Sequence, residues 1–171
     1  MAKRKDRKVK LATLIAVGEG AHDKAFLNHM KGIYDYRHSG QKVTVDSADG
    51  GSPEDIIQSV IRKNRHAAYD RSYILLDSDI PIPEKARNIA KQKRIELIES
   101  TPLCLEGMLL EILEEPVPEI SQKCKDFLHP KLACAPTDPK AYKNLFSKDV
   151  LDNTDKEQIK ILRKILQNNY N

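Results

Sequence analysis

The stretch Leu11-Ala12-Thr13-Leu14-Ile15-Ala16-Val17-Gly18-Glu19-Gly20 decides how the chain is read. Its apolar run, Leu11 to Val17, carries a β-branched component and is too short for a helix, so it predicts a buried strand that meets a sharp turn. Beyond the turn, Phe26, Met30 and Ile33 recur at near-helical spacing, so a helix follows the strand. The alternation continues. Lys42 to Val45 reads as a second strand, and Ser52-Pro53-Glu54-Asp55 supplies an N-cap, a first-turn proline and early acids for a helix that turns Ile56, Ile57, Val60 and Ile61 inward. Ser72 to Leu76 is a third strand running into Asp77-Ser78-Asp79. Prolines then break the chain before a charged helix near Glu84 to Gln92, and Arg94 to Ile98 gives a fourth strand.

Strands alternating with helices predict an α/β fold: a Rossmann-like, mostly parallel sheet of about four strands, flanked by helices on both faces. From Thr101-Pro102 onward the pattern turns helical. Leu105, Met108, Leu109 and Ile112 share one face, and the prolines of residues 116 to 150 suggest short helices and turns on the surface. Thr154-Asp155-Lys156-Glu157 then reads as a capping box before a helix that carries Ile159, Leu162 and Leu166 inward. The expected organisation is a basic tail over residues 1–9, an α/β core over 10–115 and a helical C-terminal extension over 116–171 packed on that core.

A chain of 171 residues has room for one substantial core and a helical appendage. No apolar run approaches the roughly 20 residues that span a bilayer, and none follows the basic N-terminus as a secretory signal would require. The cytoplasm is the expected compartment, with no membrane partner. Cys104, Cys124 and Cys134 cannot all pair and form no Cys-x-x-Cys, so they read as reduced packing residues rather than a disulfide framework or a zinc site. Of 29 Lys and Arg and 25 Asp and Glu, six and one fall within Met1 to Lys10; the remaining 23 and 24 give net −1. The overall charge of +4 therefore sits in a tail that either touches phosphates nonspecifically or keeps the protein soluble. Low aromatic content, 5%, argues against a stacking platform for single strands.

In open parallel sheets ligands bind beyond the carboxyl ends of the strands, where Glu19 and the pair Asp77 and Asp79 fall. Residues two apart in an extended segment point to one side, so both aspartates can face one ion. Carboxylates without histidine or cysteine partners suit Mg²⁺ or Mn²⁺. The bland readings are a solvated Gly-Glu-Gly turn and an exposed Asp-x-Asp loop. A phosphate cradle at Gly18 and Gly20 would use the helix N-terminus, but the third glycine of a dinucleotide fingerprint and a following Gly-Lys-Ser/Thr are both missing.

Three strings carry a family resemblance: Gly18-Glu19-Gly20-Ala21-His22-Asp23-Lys24-Ala25-Phe26-Leu27, Leu75-Leu76-Asp77-Ser78-Asp79, and Ser100-Thr101-Pro102-Leu103-Cys104-Leu105-Glu106. In content and order they resemble the RloB-like branch of TOPRIM proteins, over roughly residues 10 to 115. Where that branch usually shows Thr-Glu, this chain has His22-Asp23; where it has an aromatic residue, Trp and His, this chain has Leu105, Met108 and Ile112. The resemblance implies a TOPRIM-like sheet whose acids bind divalent metal and promote phosphodiester chemistry, as in primases, topoisomerases and OLD-family nucleases. It further implies that Glu19 acts as general acid or base, that Asp77 and Asp79 hold Mg²⁺ or Mn²⁺ with Glu19, and that Lys24 contacts a phosphate oxygen. Glu106, early in a helix where the dipole favours any carboxylate, is a second metal-site or structural acid. His22 reads as an exposed first-turn histidine.

The resulting expectation is a metal-dependent nuclease or phosphotransferase acting on DNA or RNA, a hydrolase-type component of a bacterial antiphage system beside a partner ATPase, with a homo-oligomer as one form of assembly. A polymer substrate predicts a basic groove leading to Glu19, lined by Arg37, Lys42, Arg71 and the tail; a small phosphate ester predicts a closed pocket instead. The alternative from another class is a non-catalytic subunit that keeps the scaffold and acts with the ATPase.

Overall fold

The computed structural model describes residues 11–169; the basic tail expected over residues 1–9 lies outside them. Four strands, β1 (Ala12–Gly18), β2 (Gln41–Ser47), β3 (Arg71–Asp77) and β4 (Ile95–Ser100), pair only in parallel, in the order β2-β1-β3-β4. The helices α1 (Ala21–Tyr34), α2 (Pro53–Ala67) and α3 (Glu84–Gln92) connect them in turn. This is an α/β, Rossmann-like sheet, in which each parallel strand needs a crossover helix before the next can pair.

Alternation along the strands builds two cores. Leu14, Ala16, Tyr73 and Leu75 face one side, against α1 and the later helices. Ile15, Val17, Ile74 and Leu76 face the other, against α2 and α3. Covering both faces explains why the strand sequences are continuous apolar runs. The α2 N-terminus forms as its sequence dictates: Ser52 Oγ accepts from the Asp55 N–H at 3.2 Å, and the Asp55 carboxylate accepts back from the Ser52 N–H at 3.1 Å.

Helices α4 (Leu105–Ile112), α5 (Ser121–Leu128), α6 (Lys148–Asn153) and α7 (Glu157–Leu166) follow, with two short 3₁₀ turns, His129–Lys131 and Pro139–Tyr142. This later half joins the core beneath α1 rather than lying on the surface: Cys124, Leu128, Tyr142, Phe146, Leu151 and Leu162 share one apolar cluster with Phe26, Met30 and Tyr34. Phe26 meets Tyr142 and Phe146 edge to face, at 5.5 and 6.2 Å between ring centres. The proline-rich composition of residues 116 to 150 concealed these anchors.

Two local expectations are corrected. The helix over Glu157–Leu166 begins at Lys156 with no side-chain cap, because Thr154 instead closes the preceding α6. Cys104 and Cys124 are buried as expected, but Cys134 is exposed. Among the described residues no helix is long and apolar enough to cross a membrane.

Candidate metal centre at the carboxyl end of the sheet

Strand order reverses between β1 and β3, and that is where the acids gather. Glu19 follows β1 directly; its Oε2 accepts from the Asp77 N–H at 3.1 Å, and its own N–H donates to Leu75 O at 3.1 Å. Asp77 ends β3, and its Oδ1 accepts from the Leu105 N–H at 3.0 Å, so the first turn of α4 is pinned to the strand end by a carboxylate at a helix N-terminus. Leu103 O reinforces the junction by accepting from both Ser78 and Asp79 N–H groups at 2.8 Å.

Asp23 enters from α1. One of its oxygens accepts from the Gly20 N–H at 3.0 Å, while Oδ1 is buried without a partner. The close approach of α1 to the sheet is possible because position 18 is glycine: a Cβ there would stand 2.4 Å from that of Asp23. Glu106, 2% exposed in the first turn of α4, completes the set. Its Oε1 accepts from His22 Nδ1 at 3.0 Å and from His129 Nε2 at 2.9 Å.

Glu19, Gly20, His22, Asp23, Gly50, Asp77, Glu106 and Lys125 line one cavity of about 240 Å³. Its electrostatics follow from crowding. Burial, together with the charges of Asp23 and Glu19, pushes the Asp77 carboxyl up to about 8. Burial likewise raises Asp23 to about 7, against the hydrogen bond from Gly20. Glu106 goes the other way: burial opposes its charge, but the two histidine hydrogen bonds prevail and hold it at about 2. Lys125 is partly desolvated, yet the carboxylates of Glu106 and Asp77 raise its pKa and keep it cationic.

The structure thus brings Glu19, Asp77 and Glu106 to one cavity and adds Asp23, His22 and Lys125; His129 joins them through its hydrogen bond to Glu106 without lining the cavity. It does not bring Asp79 there: the chain bends after Asp77, and the exposed Asp79 accepts from Ser121 Oγ at 2.5 Å. The extended geometry that would keep Asp77 and Asp79 on one side ends with the strand. Lys24 pairs with Asp46 at 3.3 Å, beside Lys63, and does not line the cavity. Arg37 lies in the turn before β2, while Lys42 and Arg71 begin β2 and β3. All three sit at the amino end of the sheet; by register Arg71 pairs with Leu14 and Lys42 with Thr13, about 17 and 20 Å short of Glu19 at some 3.3 Å per strand residue, and Arg71 Nη1 donates to Asn168. They form no groove at the cavity.

His22 is half-buried against Glu106 rather than free in solvent. Asp23 was legible as a first-turn acid, but nothing in its spacing marked it as facing Asp77. His129 and Lys125 come from the proline-punctuated segment and reach the site only because α5 packs on α4, a contact without a local signal.

Among the described residues, the ligand atoms that gather within 4.8 Å of one another are those of His22, Glu106 and His129; the other acids of the cavity offer oxygens of the kind hard divalent cations take. Glu19, Asp23 and Asp77 offer carboxylate oxygens, and the orphaned Asp23 Oδ1 is a buried acceptor in want of a cation or a proton. Compared with protein-family models, with curated proteins and with solved structures, the chain matches none.

Proposed function

We propose that this cavity is a divalent-metal-dependent centre for phosphodiester cleavage or transfer on nucleic acid, of the TOPRIM, RloB-like kind, using Mg²⁺ or Mn²⁺. One observation carries the reading: carboxylates from three separate elements converge on a single cavity at the switch point of a parallel sheet, with one buried oxygen left unpartnered. The three sequence strings that resemble the RloB-like branch supply just these acids.

Glu19, Asp23 and Asp77 would hold the ion, with Glu106 at the edge of the set. The ion's contribution is Lewis-acid polarisation of a phosphoryl oxygen. The chain's own groups divide the remaining work. Lys125, which lines the cavity among carboxylates, would meet a phosphate oxygen, the role the resemblance implies for Lys24. Glu19, fixed by the Asp77 N–H, is positioned to accept or return a proton at the attacking or leaving oxygen. A partner ATPase and a role in defence follow from the resemblance alone.

Plasmid and single-stranded DNA and RNA, incubated with the purified protein in Mg²⁺ or Mn²⁺, test the proposal. Cleavage is expected, falling at least about 100-fold in Glu19→Gln and Asp77→Asn, in the range of losing a catalytic proton-transfer group. Metal binding by the folded protein without cleavage of any substrate would favour the non-catalytic subunit.

A further inference from the structure

A second donor set of different chemistry borders the cavity and shares Glu106 and His22 with its lining. His22 at the start of α1, Glu106 at the start of α4 and His129 just beyond α5 come from three elements. Their ligand atoms, two imidazole nitrogens and a carboxylate oxygen, all lie within 4.8 Å of one another. Two of the three separations are hydrogen bonds of 2.9 and 3.0 Å, a few tenths of an ångström inside the roughly 3.3–3.6 Å between tetrahedral ligands that each bind one ion at about 2.0–2.2 Å.

Charge balance alone does not explain the arrangement. A buried carboxylate needs one cation, and the charge of Glu106 already raises the pKa of Lys125 across the same cavity. Two further rings nevertheless converge on the same oxygen, edge to face with centres 4.7 Å apart. The side chain of Glu106 is 3% exposed, whereas those of His22 and His129 are 30% and 23% exposed, so the set is closed behind and open on one side. Three protein ligands with an open position is the form of a catalytic rather than a structural metal site.

We propose that His22, Glu106 and His129 bind a first-row transition ion, with Zn²⁺ the preferred occupant. Imidazole nitrogen selects such ions over Mg²⁺, so this site differs in metal preference from the all-oxygen set of Glu19, Asp23 and Asp77. It stands on its own donors, and holds whether or not the cavity cleaves phosphodiesters.

The full chain, stripped with a chelator and re-purified, is titrated with Zn²⁺ against a chromophoric competitor, with Co²⁺ by visible absorption, and with Mg²⁺ by calorimetry. One Zn²⁺ per chain is expected at a Kd of about 1 µM or tighter, with Co²⁺ bands of four- or five-coordinate intensity. His22→Ala and His129→Ala are each expected to weaken Zn²⁺ by about 100-fold while leaving Mg²⁺ affinity in place. Asp77→Asn should do the reverse. Zn²⁺ binding weaker than about 10 µM, or an affinity unchanged in both histidine variants, overturns the proposal. Should a histidine variant fail to fold, the wild-type Co²⁺ spectrum decides, because its absence also overturns the site. Nuclease assays on the same samples keep the fate of the phosphodiester reading separate.

Discussion

Asp77, Asp23 and Glu106 share one cavity yet titrate in opposite senses, and that gives the protein a pH signature. The native values of about 8 and about 7 for Asp77 and Asp23 lie above the ordinary 3.8, so the folded state keeps protons that the unfolded chain releases. Their contribution is complete below about pH 4 and is lost as pH rises toward 8. Glu106, held at about 2 against an ordinary 4.5, contributes above pH 4.5 and loses its effect as pH falls through 2. Metal-free protein should therefore melt higher near pH 5 than at pH 8, and calorimetric scans across that range check it. Asp77→Asn is expected to flatten the alkaline limb and raise the midpoint at pH 8 by a few degrees, since 1 kcal/mol moves it about 2–4 °C at this size. Millimolar Mg²⁺ should rescue wild type at pH 8 and leave Asp77→Asn almost unmoved; equal shifts in both would remove Asp77 from the ligand set.

At the scale of elements, packing at glycine separates two substitutions that look alike in the sequence. Gly18→Ala would drive a Cβ to within 2.4 Å of the Asp23 side chain and 2.8 Å of the Lys24 backbone nitrogen, so α1 must shift off the sheet. A loss of about 1–3 kcal/mol is expected from such overpacking, together with weakened metal binding as Asp23 moves. Gly32, exposed within α1 with nothing within 4 Å of its Cβ position, gains helix propensity instead, about 0.5–1 kcal/mol as alanine. Denaturant titrations of the two variants should move in opposite directions.

The same scale shows what was readable. Strands buried on both faces announce themselves as apolar runs, and Ser52-Pro53-Glu54-Asp55 marks a helix start through groups that bond within four residues. Glu19 and Asp77 were legible because strand ends in a parallel sheet fall on one edge. Asp79 lies away from the cavity because the turn under Leu103 O ends the strand two residues before it, and the sequence does not show where a strand stops holding its side chains in alternation. Arg37, Lys42 and Arg71 fall at the end of the sheet away from the cavity, because charge says nothing of which end of a sheet it occupies. Lys125 and His129 depend on helix against helix, and that register is set by Cys124 and Leu128 in the core rather than by neighbours in the chain.

For the molecule as a whole, the helical extension over residues 116–171 shares one apolar interior with the α/β core over residues 10–115. Tyr34 Oη donates to Asp152 at 2.8 Å, His29 Nε2 lies 2.7 Å from Phe146 O, and Gln41 Nε2 donates to Ile165 and Leu166 carbonyls, both at 2.9 Å. A chain cut after residue 115 exposes the faces of Phe26, Met30 and Tyr34 that these later residues cover. It is expected to show no cooperative thermal transition and rapid proteolysis, whereas a separately folding core would melt as a unit.

Those long-range ties also govern the order in which the molecule can be made. During synthesis α1 leaves the ribosome well before Tyr142, Phe146 and α7, at a rate of about 5–20 residues per second. For several seconds its apolar face is without its cover, and the nascent chain is a natural client for a chaperone that shields hydrophobic helices until the second half arrives.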